Sequence, residues 1–178
     1  MNRQEQTTLK SDIDRHFLKL ALQEAEKALS ENTYPVGAVI VDERNNIISK
    51  GRNRVHAQQD LTAHAEIGAI RNAGPLILEG KTQRKHFTIY TSLEPCPMCT
   101  GGLLFANIKR VVWINNDDEG FGGYRKLRDA NIFDKRFHEV EVMEEPFHDL
   151  KVKQMALLDE WELNPNNIKN LRKSANVQ

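Results

Sequence analysis

Cysteine is nearly absent from this sequence. Its two copies, Cys96 and Cys99, stand so close together that no disulfide can staple distant parts of the chain. An excess of charge is absent as well: 25 Lys and Arg balance 25 Asp and Glu. That removes the whole-molecule field that draws a basic protein onto a polyanion, although a local basic stripe would survive the cancellation. No apolar run approaches the roughly 20 residues that span a bilayer. The segment Met1 to Ser11 is polar and has no apolar heart of a secretion signal. Membrane partners are therefore not expected, and a cytoplasmic location is. What is present is an ordinary folding composition, 39% apolar and 28% charged. A chain of this length can bury about two thirds of its unfolded surface around one core, so we expect one domain over 1–163 and a C-terminal tail over 164–178.

Periodicity supplies the elements. Asp12 to Leu29 carries Ile13, Phe17, Leu20, Ala21, Ala25 and Ala28 at helical spacing, with Ser11 or Asp12 as cap. Val36 to Val41 and the shorter run at Ile47 and Ile48 flank the turn-like Asp42 to Asn46, which predicts a hairpin. After the polar stretch Asn53 to Asp60, a helix from near Thr62 is expected to stop at Gly74-Pro75. A strand over Phe87 to Ser92, a helix opened by Pro97 and a strand over Arg110 to Ile114 follow. Beyond the glycines at 120, 122 and 123 we expect a short helix over Lys126 to Ala130, a strand over His138 to Met143, and a last helix carrying Leu150, Leu157, Leu158 and Trp161. Asn164-Pro165 ends that helix. The Asn-rich remainder carries Lys169, Arg172 and Lys173 with no acid and reads as a mobile or partner-docked tail. Helices alternating with strands imply an α/β layer with a mixed sheet, an antiparallel hairpin at one edge and crossover-linked strands beyond it.

Two segments carry chemistry. Cys96 and Cys99 project from one side of a helical turn whose free N–H groups favour thiolate, the form that binds metal. His64, at the start of the preceding helix, can add a nitrogen, which makes a ligand set of His64, Cys96 and Cys99. Three protein ligands on tetrahedral Zn²⁺ leave a position for water, the arrangement of catalytic sites, and zinc lowers the pKa of that water to about 7. Glu66, two residues beyond the histidine, is suited to carry a proton from the water to the ring nitrogen and then to the leaving amine. His-x-Glu followed by Pro-Cys-x-x-Cys is the signature of zinc nucleobase deaminases, and both halves are here in order. A Cys-x-x-Cys redox pair would leave His64 and Glu66 without a role. A closed structural zinc site lacks its fourth ligand, since His16, His56, His86, His138 and His148 have no metal-ligand spacing to the cysteines. We take His56, His86, His138 and His148 as ordinary polar or loop histidines.

On these residues the chain resembles the cytidine deaminase superfamily, in the branch that holds bacterial tRNA adenosine deaminases, guanine deaminases and fungal cytosine deaminase. The likeness runs from about the first helix to Asp117 and includes Pro35-Val-Gly-Ala-Val39, Gly51-x-Asn53-Arg54, Thr62-Ala-His-Ala-Glu-Ile67 and Thr91-Ser-Leu-Glu-Pro-Cys-Pro-Met-Cys99. The resemblance implies a three-layer α/β/α sandwich around a five-stranded mixed sheet, a dimer or larger assembly, Asn53 as the residue that holds the base, and backbone N–H groups near Ala65 that touch it. Asn53 also has an independent rationale, because an amide offers both a donor and an acceptor to a base edge. The other reading of Asn53 is an ordinary turn residue after Gly51.

Past Asp117 the chain departs from the tRNA deaminases. Asp117-Asp-Glu119, Glu139, Glu141, Glu144 and Glu145 are acidic, and a mixed Asp149 to Glu162 replaces that group's strongly basic C-terminal helix. A tRNA stem demands several Lys/Arg contacts, whereas a free base needs only a small closed pocket. Two basic clusters remain, Lys81 with Arg84 and Lys85, and Lys169 with Arg172 and Lys173; a solvated face is the commoner meaning of such runs. The favoured substrate is thus a nucleobase or nucleoside such as guanine or cytosine, converted to the oxo product with release of ammonia. Adenosine at the wobble position of tRNA is the alternative, and a non-catalytic zinc-binding scaffold is the reading from another class. Phe121, Tyr124 and the tail are candidate covers for the pocket.

Overall fold

The computed structural model describes residues 3–175. A five-stranded sheet forms its middle layer, from β1 (Gly37–Asp42), β2 (Ile47–Arg52), β3 (Phe87–Leu93), β4 (Arg110–Asn115) and β5 (Glu141–Glu144), in the order β2-β1-β3-β4-β5. β1 runs antiparallel to β2 and to β3, while β3, β4 and β5 are mutually parallel, so the sheet is mixed as expected.

Alternation along the strands sorts the core into two faces. Val39, Val41, Tyr90, Val112 and Ile114 meet Phe17, Leu18, Ala21 and Leu22 of α1 (Arg3–Ser30) and Leu150 of α8 (His148–Leu163). Ala38, Ile40, Ile89, Val111 and Trp113 point the other way. They pack on Ala65 and Ala69 of α3 (Ala65–Asn72), Ile77 of α4 (Gly74–Gln83) and Leu103 of α5 (Pro97–Phe105). Tyr124 of α6 (Tyr124–Asp129) and Phe137 of α7 (Asp134–Phe137) complete that face. The result is the three-layer α/β/α arrangement.

Two glycines let helices lie directly on the strands. A Cβ on Gly37 would overlap the Ala21 carbonyl oxygen of α1, and one on Gly51 would overlap the Ala65 carbonyl oxygen of α3. These are the glycines of the two short motifs ahead of the histidine, and their role is close approach of backbones. On the α1 face, Arg110 of β4 grips the buried Asp14 carboxylate with both Nη atoms, at 2.6 and 2.7 Å. A fork of this kind orients as well as attracts.

Several elements differ from the sequence reading. The first helix begins at Arg3 instead of Asp12, because a solvated polar turn extends a helix at little cost once the apolar face downstream is docked. α3 ends at Asn72, just ahead of Gly74-Pro75 as expected, but a further helix, α4, follows at once with Pro75 in its first turn, where proline's missing N–H costs no helical bond. The polar stretch after Asn53 contains a four-residue helix, α2 (Val55–Gln58). The last strand starts at Glu141 and not at His138, since residues 138–140 close the turn of α7. The segment from 164 is not without structure in its described part. It forms α9 (Ile168–Ala175), with Asn167 Oδ1 capping Lys169 N–H at 2.9 Å and Asn167 Nδ2 returning to Trp161 O. Asparagine enrichment here is cap chemistry; residues 176–178 lie outside the described residues.

Tyr124 cannot cover a pocket, because it is fully buried between Trp113 and Phe137. Its hydroxyl has no hydrogen-bond partner among the described residues. Tyr124→Phe is therefore expected to be neutral or up to about 1 kcal/mol stabilising, since no bond is lost and an unpaired polar group leaves the core. A urea unfolding midpoint that falls by an amount worth more than about 1 kcal/mol would show that the hydroxyl is paired.

Candidate functional site

The site lies beyond the carboxyl ends of the parallel strands β3 and β4, where open α/β sheets bind ligands. β3 ends at Leu93 and delivers Glu94, Pro95 and Cys96 to the start of α5. Cys96 is the N-cap residue of that helix, with Sγ accepting from Cys99 N–H at 3.5 Å, and Pro97 occupies the first turn. On the neighbouring helix, earlier in the chain, His64 is the N-cap residue of α3. Each of the three side chains is therefore fixed at a helix start, where the backbone turns and the side chain stands clear of the helix barrel.

α3 and α5 approach closely enough that a Cβ on Gly102 would come within 3.0 Å of Ile67 Cδ1. This closeness brings the two starts together. His64 Nδ1 lies 3.6 Å from Cys96 Sγ and 3.6 Å from Cys99 Sγ, and the three ligand atoms lie within 4.8 Å of one another. A tetrahedral ion with ordinary zinc–nitrogen and zinc–sulfur bond lengths holds N and S about 3.6 Å apart. The donor set and its spacing therefore fit zinc, and the imidazole nitrogen facing the sulfurs is Nδ1.

Glu66 follows in the first turn of α3 and is buried, with Oε2 3.4 Å from Cys99 Sγ. Burial pushes its carboxyl up to about 7, and the nearby Cys96 charge adds to the effect. Cys96 moves the other way, down to about 4, because the Cys99 thiol donates to its sulfur and His64 lies beside it. Cys99 is pushed up for the complementary reason, as donor to Cys96 in a buried position. The Cys96 contact also raises His64. One carboxyl thus stands at the rim of a two-sulfur, one-nitrogen cup without belonging to the ligand set.

Asn53 and Ala65, the substrate contacts that the resemblance implies, lie next to the ligand segment. Asn53 is buried at the end of β2, and the next residue, Arg54, donates its N–H to Ala63 O, one position ahead of His64. Ala65 opens α3 and is fully buried.

Residues that the sequence reading did not single out shape the surroundings. Glu94, with its carboxylate 1% exposed, accepts from Asp117 N–H, from Arg125 N–H, and from Arg125 Nε and Nη2 at 3.0 and 2.7 Å. It clamps the 117–125 loop onto the cysteine segment, and Gly123 and Tyr124 N–H both donate to Pro95 O. The only sequence signal was an acid inside Leu93-Glu-Pro-Cys96, a place too buried for an unpaired carboxylate. His56, taken as an ordinary loop histidine, packs edge-on against Trp161 and reaches Thr33. Phe121, by contrast, is 83% exposed.

Half of the residues in the two basic clusters are engaged within the chain. Lys81 donates to Phe105 O, Lys85 pairs with Glu79, and Lys169 pairs with Glu162. Among the described residues no helix is long and apolar enough to cross a membrane.

The family model described as the cytidine and deoxycytidylate deaminase zinc-binding region matches residues 11–115. The tRNA-specific adenosine deaminase of Haemophilus influenzae is 42% identical over 109 residues, which is 61% of this chain and 62% of that protein. The chain thus spans less than two thirds of that relative. Cytosine deaminase of Candida albicans is 39% identical over 114 residues, 64% of this chain and 73% of its own length. Among solved structures, one from studies of A-to-I editing by tRNA:A34 deaminases superposes with a TM-score of 0.65 at 29% identity, covering 81% of this chain and 99% of its own. Guanine deaminase from Bacillus subtilis gives 0.50 at 36% identity, covering 60% and 69%.

Proposed function

Because this chain belongs to the cytidine and deoxycytidylate deaminase zinc-binding family, we propose that it is a hydrolytic deaminase that replaces the exocyclic amino group of a nucleobase with oxygen and releases ammonia. One observation carries the reading: His64 Nδ1, Cys96 Sγ and Cys99 Sγ converge on one point while the Glu66 carboxylate stands beside them. His64, Cys96 and Cys99 would hold the ion. Bound there, zinc supplies a Lewis acid that makes water acidic enough to attack near neutral pH.

The chain's own residues do the rest. Glu66 takes one proton from the attacking water at its carboxylate oxygen and passes it to the ring nitrogen, then takes the second from the newly added hydroxyl and passes it to the departing amine. A C–O bond forms at the carbon that bore the amino group, the C–N bond breaks, and the two water protons end on the ring nitrogen and in ammonia. Burial of Glu66 and Ala65 keeps bulk water from that exchange. Asn53 and the backbone near Ala65 orient the base.

A free base or nucleoside such as guanine or cytosine is the substrate we favour. A zero net charge, with Lys85 and Lys169 of the two basic clusters paired to Glu79 and Glu162, weakens the field that a tRNA backbone would meet. Wobble adenosine in tRNA is the second reading, supported by the Haemophilus influenzae relative at 42% identity. A homodimer belongs to the same proposal, and the exposed Phe105 and Leu78 on the α4 and α5 side support it. The deciding experiment is ammonia release by the zinc-loaded protein against guanine, cytosine, adenine, their nucleosides and a tRNA anticodon stem-loop. Turnover of a free base or nucleoside is expected, and turnover of the stem-loop alone would put the second reading first.

A further inference from the structure

Asn53 is buried, and one end of its side-chain amide is already spent. Oδ1 accepts from Thr33 Oγ1 at 2.6 Å and from Val55 N–H at 3.1 Å, which fills both of its lone pairs. The orientation is not arbitrary. A backbone N–H can only donate, so the amide atom facing Val55 must be oxygen and not nitrogen.

The same reasoning propagates outward. Two oxygens 2.6 Å apart need a proton between them, and Thr33, whose side chain is fully buried, supplies it. With that proton committed, Thr33 Oγ1 can only accept from His56 Nδ1, 3.3 Å away. His56 therefore carries hydrogen on Nδ1, and its ring is held edge-on by Trp161 of α8, with centroids 5.4 Å apart. The backbone on either side is tied as well: Asn53 N–H donates to Val36 O, and Arg54 N–H to Ala63 O beside His64. What remains is Asn53 Nδ2, which has no hydrogen-bond partner among the described residues and is not sealed from solvent.

We propose that Thr33, backed by His56, is a positioning residue that locks the Asn53 amide with its Nδ2 donor outward, so that the substrate offers a hydrogen-bond acceptor at that point, a carbonyl oxygen or an unprotonated ring nitrogen. The inference rests on the deaminase reading for its substrate, but its geometry does not. A base edge that presents an N–H there meets a second donor and is rejected, which is how one buried amide discriminates between ligands of equal size.

The test has two arms. Nitrogen-15 NMR of His56 reads its tautomer without any substrate: Nδ1–H is expected in the wild type, and the Nε2–H form overturns the proposal. Kinetics on cytosine, guanine and a tRNA anticodon stem-loop read the consequence. With whichever of these turns over, Thr33→Val is expected to raise KM about tenfold with kcat within about twofold, because the amide loses one of the two donors that hold Oδ1 and only the longer Val55 bond remains. Thr33→Ser restores the hydroxyl and is expected to return KM to near the wild-type value. An unchanged KM in Thr33→Val, or no rescue by serine, overturns the positioning role. If the wild type turns over none of these nor adenine and the nucleosides, the deaminase reading fails while the tautomer still decides the amide's orientation.

Discussion

Glu66→Gln is expected to leave a folded protein that holds one zinc per chain and releases ammonia about 10²- to 10⁴-fold more slowly, the usual worth of a positioned proton carrier. In barrier terms that is roughly 3–5 kcal/mol. The substitution keeps size and shape, so the buried first turn of α3 can pack as before. It removes only the ability to take a proton from water and pass it on. Metal content by elemental analysis and an unchanged thermal midpoint would show that the cup of His64, Cys96 and Cys99 is intact. A variant with wild-type turnover would remove Glu66 from the mechanism, and a variant that lost zinc would make Glu66 a ligand. If the wild type is itself inactive on every base while zinc is bound, the non-catalytic scaffold is the better description.

Withdrawal of the metal is expected to act on stability as well as on turnover. The three ligands come from two helix starts more than thirty positions apart in the chain, so an ion held there cross-links α3 to α5. A ligand that binds only the folded state stabilises by about 4 kcal/mol when its free concentration is a thousandfold above its dissociation constant. For a domain of this size that corresponds to a thermal midpoint lower by roughly 8–16 °C after chelation. Activity should fall to background and return on addition of one equivalent of zinc. Cys96→Ser is expected to behave like the chelated protein, because a neutral hydroxyl is a poor substitute for a thiolate ligand. Identical unfolding curves with and without chelator would show that the three atoms do not grip an ion.

The two predictions draw on different parts of what the sequence made visible. His64, Glu66, Cys96 and Cys99 could be singled out from spacing alone, since the role proposed for each follows from residue type and from position at a helix start. Glu94, Arg125, Thr33 and His56 could not. Each acts through a partner far away in the chain: Glu94 on Arg125 and the Asp117 N–H, Thr33 on Asn53, His56 on Thr33 and against Trp161. Local periodicity carries no information about such pairings.

The fold divides in the same way. Val36 to Val41 is apolar throughout, and Val39 and Val41 face one layer while Ala38 and Ile40 face the other, because a strand's side chains alternate by geometry. The four-residue helix after Asn53, with no buried residue, and the restart at Pro75, with Ile77 packed into the core, were decided by tertiary packing and not by a local apolar stripe. By itself the sequence determined the α/β layering, the chemistry of the ligand set and the presence of an uncommitted carboxyl, since these depend on residue type and short spacing. Tertiary structure alone decided that the two helix starts meet, which imidazole nitrogen faces the sulfurs, and which end of the Asn53 amide is left open, because those depend on distances between segments that only the closed sheet and its packed helices establish.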